Sequence, residues 1–72
     1  QDASLSLLAI QAGKSATHMI APGRAVWLHV ARGRVTAEGG TLSAGDAIGV
    51  EGAPELSIRG EMESDVLIFD LA

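Results

Sequence analysis

In Ala25-Val26-Trp27-Leu28-His29-Val30-Ala31, Val26, Leu28 and Val30 fall on one side of an extended chain and Trp27 and His29 on the other. That period of two marks a β-strand, and no segment of helical period in the chain is long enough to compete. Working upstream, Ala21-Pro22-Gly23 is a turn, proline setting one backbone angle and glycine permitting a positive one. Before it lie two further candidate strands, residues 4–11 and 16–20, separated by Ala12-Gly13-Lys14. Downstream, residues 34–37 and 41–43 flank Gly39-Gly40, a two-residue hairpin signal because both turn positions need positive φ. Gly45-Asp46 punctuates the chain before residues 47–50, and Gly52-Ala53-Pro54 does so before residues 56–59. Nine glycines thus separate short stretches rich in Val, Leu and Ile, the pattern of many short strands joined by tight turns.

The closing run, residues 65–71, departs from this alternation. Val66 and Ile68 on one face are opposed by Leu67, Phe69 and Leu71 on the other, so both faces are apolar. A strand of a small barrel or sandwich is expected to keep one wet face, and a strand with two dry ones implies a second covering surface. A partner domain or subunit is the preferred cover, with local loops as the alternative. Trp27 and His29 share an outward face, and a lone tryptophan there more often anchors an interface than stacks on a ligand. The candidate interface residues are therefore Trp27, His29, Leu67, Phe69 and Leu71.

Seventy-two residues make one domain at most, and a chain this short buries only about 60% of the surface its unfolded form exposes. Disulfides are excluded by the absence of cysteine, which leaves association as the leading source of added stability. A net charge of −4 argues against a nucleic-acid partner, which needs a basic stripe to offset phosphates. No apolar run approaches the roughly 20 residues of a membrane span, and a cytoplasmic location is expected. Arg24, Arg32 and Arg34 lie mid-chain, while Glu51, Glu55, Glu61, Glu63, Asp65 and Asp70 load the last third with negative charge, read here as a solvated surface. The chain begins at Gln1 and enters its first strand almost at once, which reads as a piece of a longer protein. No serine has a histidine and an acid at informative spacing, and no glycine run precedes a helix to cradle phosphate.

Seven or eight short antiparallel strands with turns at this spacing suggest an all-β jelly-roll barrel or sandwich, the architecture that cupins use. Ala12-Gly13-Lys14, Pro22-Gly23-Arg24, Trp27-Leu28, Arg32-Gly33, Leu42-Ser43-Ala44-Gly45-Asp46 and Leu67-Ile68-Phe69-Asp70-Leu71, in that order, resemble the C-terminal half of bacterial pirin-like bicupins. That group includes the quercetin 2,3-dioxygenases. The resemblance covers nearly the whole chain, and it implies a small cupin-type domain over residues 1–72, the C-terminal part of a longer bicupin. In that family the N-terminal cupin carries a divalent metal, such as iron, nickel or copper, and the oxygenase chemistry.

The resemblance also implies where a cupin metal would be held: a His-x-His pair, a glutamate soon after, and a third histidine beyond the glycine of the second motif. Imidazole and carboxylate donors must converge on one ion and leave a position open for substrate. His18 stands for the first ligand, but Ile20 replaces its partner, Arg24 or Ala25 falls near the glutamate position, and Ile48 lies three residues after Gly45. Moving the alignment by one residue puts Met19 and Ala21 in the pair, which is worse. No metal, cofactor or catalytic residue is therefore expected in this chain. His18 reads as a residual ligand completed by another chain or, preferably, as an ordinary polar residue near a strand end. His29 reads as a member of a two-histidine site with His18 or, preferably, as a hydrogen-bonded structural residue.

Three functions compete. The first is a non-catalytic degenerate cupin that packs on and supports a metal-dependent N-terminal cupin of the same longer chain, and that forms a homodimer through the uncovered sheet when isolated. The second is a small-molecule binding module using the barrel interior, which requires that Ile20 and Ile48 not fill it. The third is a dioxygenase in its own right, which the missing ligands oppose.

Overall fold

Every regular element among the described residues is a strand. The computed structural model describes residues 3–72, and Gln1 and Asp2, counted in the sequence-based 1–72 domain, lie outside the described residues. The strands are β1 (Ala3–Ile10), β2 (Ser15–Met19), β3 (Ala25–Arg32), β4 (Arg34–Ala37), β5 (Gly40–Ser43), β6 (Ala47–Glu51), β7 (Glu55–Gly60) and β8 (Ser64–Leu71). They form two four-stranded antiparallel sheets, with order β1-β8-β3-β6 in the first and β2-β7-β4-β5 in the second. This is the jelly-roll expected from the turn spacing, and the candidate strands fall within a residue or two of the observed ones.

The alternation read in residues 25–31 becomes the core. Val26, Leu28 and Val30 of β3, Val66 and Ile68 of β8, Ile10 of β1 and Val50 of β6 point from the first sheet toward Val35, Ala37, Leu56 and Ile58 of the second, with Ile20 beside them. Valine and isoleucine dominate because a β-branched side chain fits a pleated surface at little rotamer cost. After Val30 the β3–β8 register shifts, so that Arg32 pairs with Asp65 across a bulge at Ala31.

One turn differs from expectation. The β4–β5 hairpin closes on Glu38 and Gly39, with φ of 51° and 76°, while Gly40 already pairs with Ala37 in the ladder. The hydrophobic pattern settles this shift by one. Placing Gly39-Gly40 in the turn would move Val35 and Ala37, both buried, out of their register. Glu38 bears the strain of a positive φ because the ladder on either side leaves the loop no third residue.

A second tight point joins the sheets. Gly33 has φ of 92°, and a Cβ there would strike the Ser64 hydroxyl and stand 2.5 Å from the Glu63 carbonyl oxygen. Ser64 is fully buried; its Oγ accepts from Arg34 N at 2.9 Å and shares its proton between Met62 O at 2.8 Å and Arg34 O at 3.1 Å. Gly33→Ala is therefore expected to cost about 3 kcal/mol through backbone strain and overlap together. In thermal unfolding this should lower Tm by about 10 °C or more. Gly23→Ala, at φ of 82° with no atom within 4 Å, should lose only the conformational part, about 1 kcal/mol. Equal losses at the two sites would refute the contact at Ser64.

Candidate functional site

The outward face of the first sheet is built in rows by the strand register. Leu5, Phe69, Trp27 and Gly49 lie side by side across β1, β8, β3 and β6; Leu7, Leu67, His29 and Ala47 form the next row. Ala3, Leu71, Ala25 and Glu51 bound this surface at one end, and Ala9, Asp65 and Arg32 at the other. Because the inner neighbours Val26, Leu28, Val30, Val66 and Ile68 are all buried, period two sends these rows outward. Leu5 is 59% exposed, Leu7 68%, Trp27 47% and Leu71 41%, and Leu67, Phe69 and His29 are half-buried. An apolar patch of this continuity is unusual on the surface of a monomer and marks interaction sites.

All five candidate interface residues, Trp27, His29, Leu67, Phe69 and Leu71, therefore lie on one face. Leu5 and Leu7 extend it and were missed by the sequence reading. In Ser4-Leu5-Ser6-Leu7 the signal was present as alternation, but leucine would be assigned inward and serine outward. Pairing with β8 reverses this: Leu5 sits opposite Phe69 on the outside, and Ser4 opposite Asp70 on the inner side. Ser4 and Ser6 remain exposed even there.

Trp27 lies down on its neighbour. A Cβ at Gly49 would stand 3.1 Å from the indole Cε3 and 3.3 Å from Cζ3, so the ring rests on bare backbone. At the far end, Arg32 Nε donates to Asp65 Oδ2 at 2.8 Å, and Arg32 Nη2 stands 3.8 Å from Glu63 Oε1. This pair caps the apolar rows with a solvated polar rim.

A second cluster closes one end of the sandwich. His18 of β2 donates from Nε2 to Asp70 Oδ2 at 3.0 Å, which places the proton on that nitrogen because a carboxylate only accepts. Arg24, from the turn before β3, donates from Nε to Asp70 Oδ1 at 2.5 Å and from Nη2 to the Asp70 carbonyl at 3.3 Å. Asp70 thus belongs to no solvated acidic surface, contrary to the sequence reading; its side chain keeps 15% of its accessibility. The hydrogen bonds from Arg24 and then His18 hold its carboxyl below the ordinary carboxylate range, against an opposing effect of burial.

These groups do not fit a metal. Ile20, where the resemblance would require the second histidine, is buried in the core, and Ile48 packs against it. His18 and Asp70 supply two donors, and the next group is the Arg24 guanidinium, which repels a cation. Among the described residues no three His, Cys, Asp or Glu side chains lie together to hold an ion. His29 faces outward beside Leu67 and Ala47 while His18 faces inward, so the two form no pair.

Known proteins share this sequence pattern and this fold. The model of the family described as quercetinase C-terminal cupin domain matches residues 1–71. A quercetin 2,3-dioxygenase of Escherichia coli strain K12 is 35% identical over 71 residues; the match takes in 99% of this chain and 31% of that protein. The chain thus spans about a third of the length of the curated relatives it matches. The crystal structure of the bacterial pirin YhhW from Escherichia coli in complex with nickel(II) superposes with a TM-score of 0.95 at 35% identity, covering 99% of this chain and 31% of that one. A de novo designed double-stranded β-helix, 16% identical, matches 94% of this chain and 96% of its own with a TM-score of 0.75, which shows the fold.

The charged cluster sets an expectation for acid. A carboxyl whose folded value is lowered adds stability above its unfolded value, about 3.9, and that stability is lost as pH falls through the folded value. Asp70→Asn should therefore lower Tm at pH 7, and the difference from the unsubstituted chain should close as the pH drops below about 4. A difference that persists unchanged to pH 2 would show that Asp70 acts through something other than its charge.

Proposed function

The chain belongs to the family of quercetinase C-terminal cupin domains, and from that premise we propose that it is the non-catalytic half of a bicupin. In this reading its apolar sheet face docks on an N-terminal cupin of the same longer chain, supports that barrel and shields it from solvent. The observation that carries the proposal is the outward face of β1, β8 and β3, where six large apolar side chains remain partly or largely exposed.

The magnitudes favour a tethered partner. Covering six half-exposed apolar side chains gains on the order of 6 kcal/mol at about 1 kcal/mol each. Bringing two free proteins together costs about 4–15 kcal/mol. A matching partner surface gains a comparable amount from its own side, so a free partner is expected to associate weakly, whereas a partner on the same chain is already present at an effective concentration of about millimolar.

The longer protein, on this proposal, is a metal-dependent dioxygenase whose iron, nickel or copper sits in the N-terminal cupin, as nickel(II) accompanies the Escherichia coli pirin. This chain contributes no ligand to it. A cytoplasmic setting is compatible with a chain free of cysteine, and no helix among the described residues is long and apolar enough to cross a membrane. The alternative of an interior binding site loses support from the core, because Ile20 and Ile48 occupy the space it would need.

The N-terminal cupin and this chain, produced as separate polypeptides, are expected to associate. Leu67→Asp combined with Phe69→Asp should weaken that association by about 100-fold with the circular dichroism spectrum unchanged. Binding indifferent to both substitutions would sink the docking reading. Oxygen uptake with quercetin by this chain alone would sink the non-catalytic one.

A further inference from the structure

Glu51 stands at a corner of the apolar face with no ion pair or hydrogen bond to any described side chain, whereas the other acid on that face, Asp65, is held by Arg32. Between Glu51 and Trp27 is an open hollow of about 240 Å³ whose sides include Ala25, Trp27, Gly49, Glu51 and Leu71. Its floor is low because Gly49 has no side chain and Ala25 has only a methyl. One wall is the indole of Trp27, laid over Gly49; another is Leu71, 41% exposed. Arg24 is close by and lines an adjoining hollow with Glu51, but its guanidinium is committed to Asp70.

We propose that this hollow receives an arginine side chain projecting from the protein surface that covers the sheet. The assignment rests on the docking reading and adds the chemistry of the partner. An aromatic face attracts a cation, and a carboxylate pairs with one, so the two walls select the same ligand. The planar guanidinium stacks on indole and offers donors in its own plane toward Glu51, which an ammonium cannot do at once. The methylenes of the stem lie against Ala25 and Leu71. A neutral partner surface would instead leave the Glu51 carboxylate desolvated and unpaired at the edge of an apolar contact, which is unfavourable. The negative charge of the chain, −4, favours approach of a basic surface in the same sense.

The chain holds one tryptophan, so its indole N–H resonance and its fluorescence report on this hollow without ambiguity. Titration with N-acetyl-arginine amide should shift that resonance saturably. The uncharged isostere N-acetyl-citrulline amide should bind at least about tenfold more weakly, as should the arginine probe to Glu51→Gln. Equal responses to the two probes, or a response unchanged in Glu51→Gln, would overturn the assignment. In the two-polypeptide association, Glu51→Gln should cost about tenfold and Glu51→Arg more. Association that is lost on Leu67→Asp but indifferent to Glu51→Gln rejects the arginine and leaves the docking face standing. Association indifferent to Leu67→Asp rejects both.

Discussion

A strand held between two others in a sheet gives one face to the core and the other to whatever lies outside, and β8 brings apolar side chains to both. Val66 and Ile68 are buried between the sheets, and Leu67, Phe69 and Leu71 stand on the far side among Leu5, Leu7 and Trp27. Neither set can be removed by sliding the strand. A shift of one residue would exchange the two rows and leave the interior with the bulkier set, while the ladders to β1 and β3 would lose their partners. The remaining strands follow from this arrangement: β3 and β1 flank β8, β6 completes the sheet, and the second sheet closes over the inner face.

The two ends of the sandwich are treated differently. At one end Gly33 and the buried Ser64 hydroxyl allow backbone to meet backbone, so β8 can begin directly beneath the start of β4. At the other, Asp70 draws His18 from the second sheet and Arg24 from the turn before β3 onto a single carboxylate. That cluster spans both sheets where apolar packing runs out. Its composition, one guanidinium, one imidazole and one carboxylate, secures the end of the sandwich with charge complementarity among side chains and needs no ion. Behind it Ile20 is buried in the core and Ile48 packs against that core.

The two faces of the first sheet are unequally finished. Its inner face joins a cluster of twelve buried apolar residues, counted among the described ones, while the outer face carries a polar rim at the Arg32–Asp65 pair. Trp27 illustrates the intermediate condition: the ring gains contact by resting on Gly49, yet nearly half of it remains exposed. The ring lies flat on a glycine floor, at the corner of the face that Glu51 and Leu71 also border.

Strand positions, the all-β class and the two dry faces of the closing run were legible in the sequence, because a period of two is local and needs no knowledge of neighbours. The turn of the β4–β5 hairpin was not, since Gly39-Gly40 and Glu38-Gly39 differ by one residue and only the burial of Val35 and Ala37 chooses between them. Period also leaves direction unassigned. Leu5 and Leu7 alternate with serines in a way that points them inward until pairing with Leu67 and Phe69 turns them out. Asp70 looked like one more surface acid, and contacts across 52 and 46 residues of chain made it the hub of the end cluster. Alternation, turn chemistry and missing ligands are properties of residues near each other in the chain. Which face is outside and which acid is paired are properties of register between strands, and register is settled only when the whole sandwich buries its core at once.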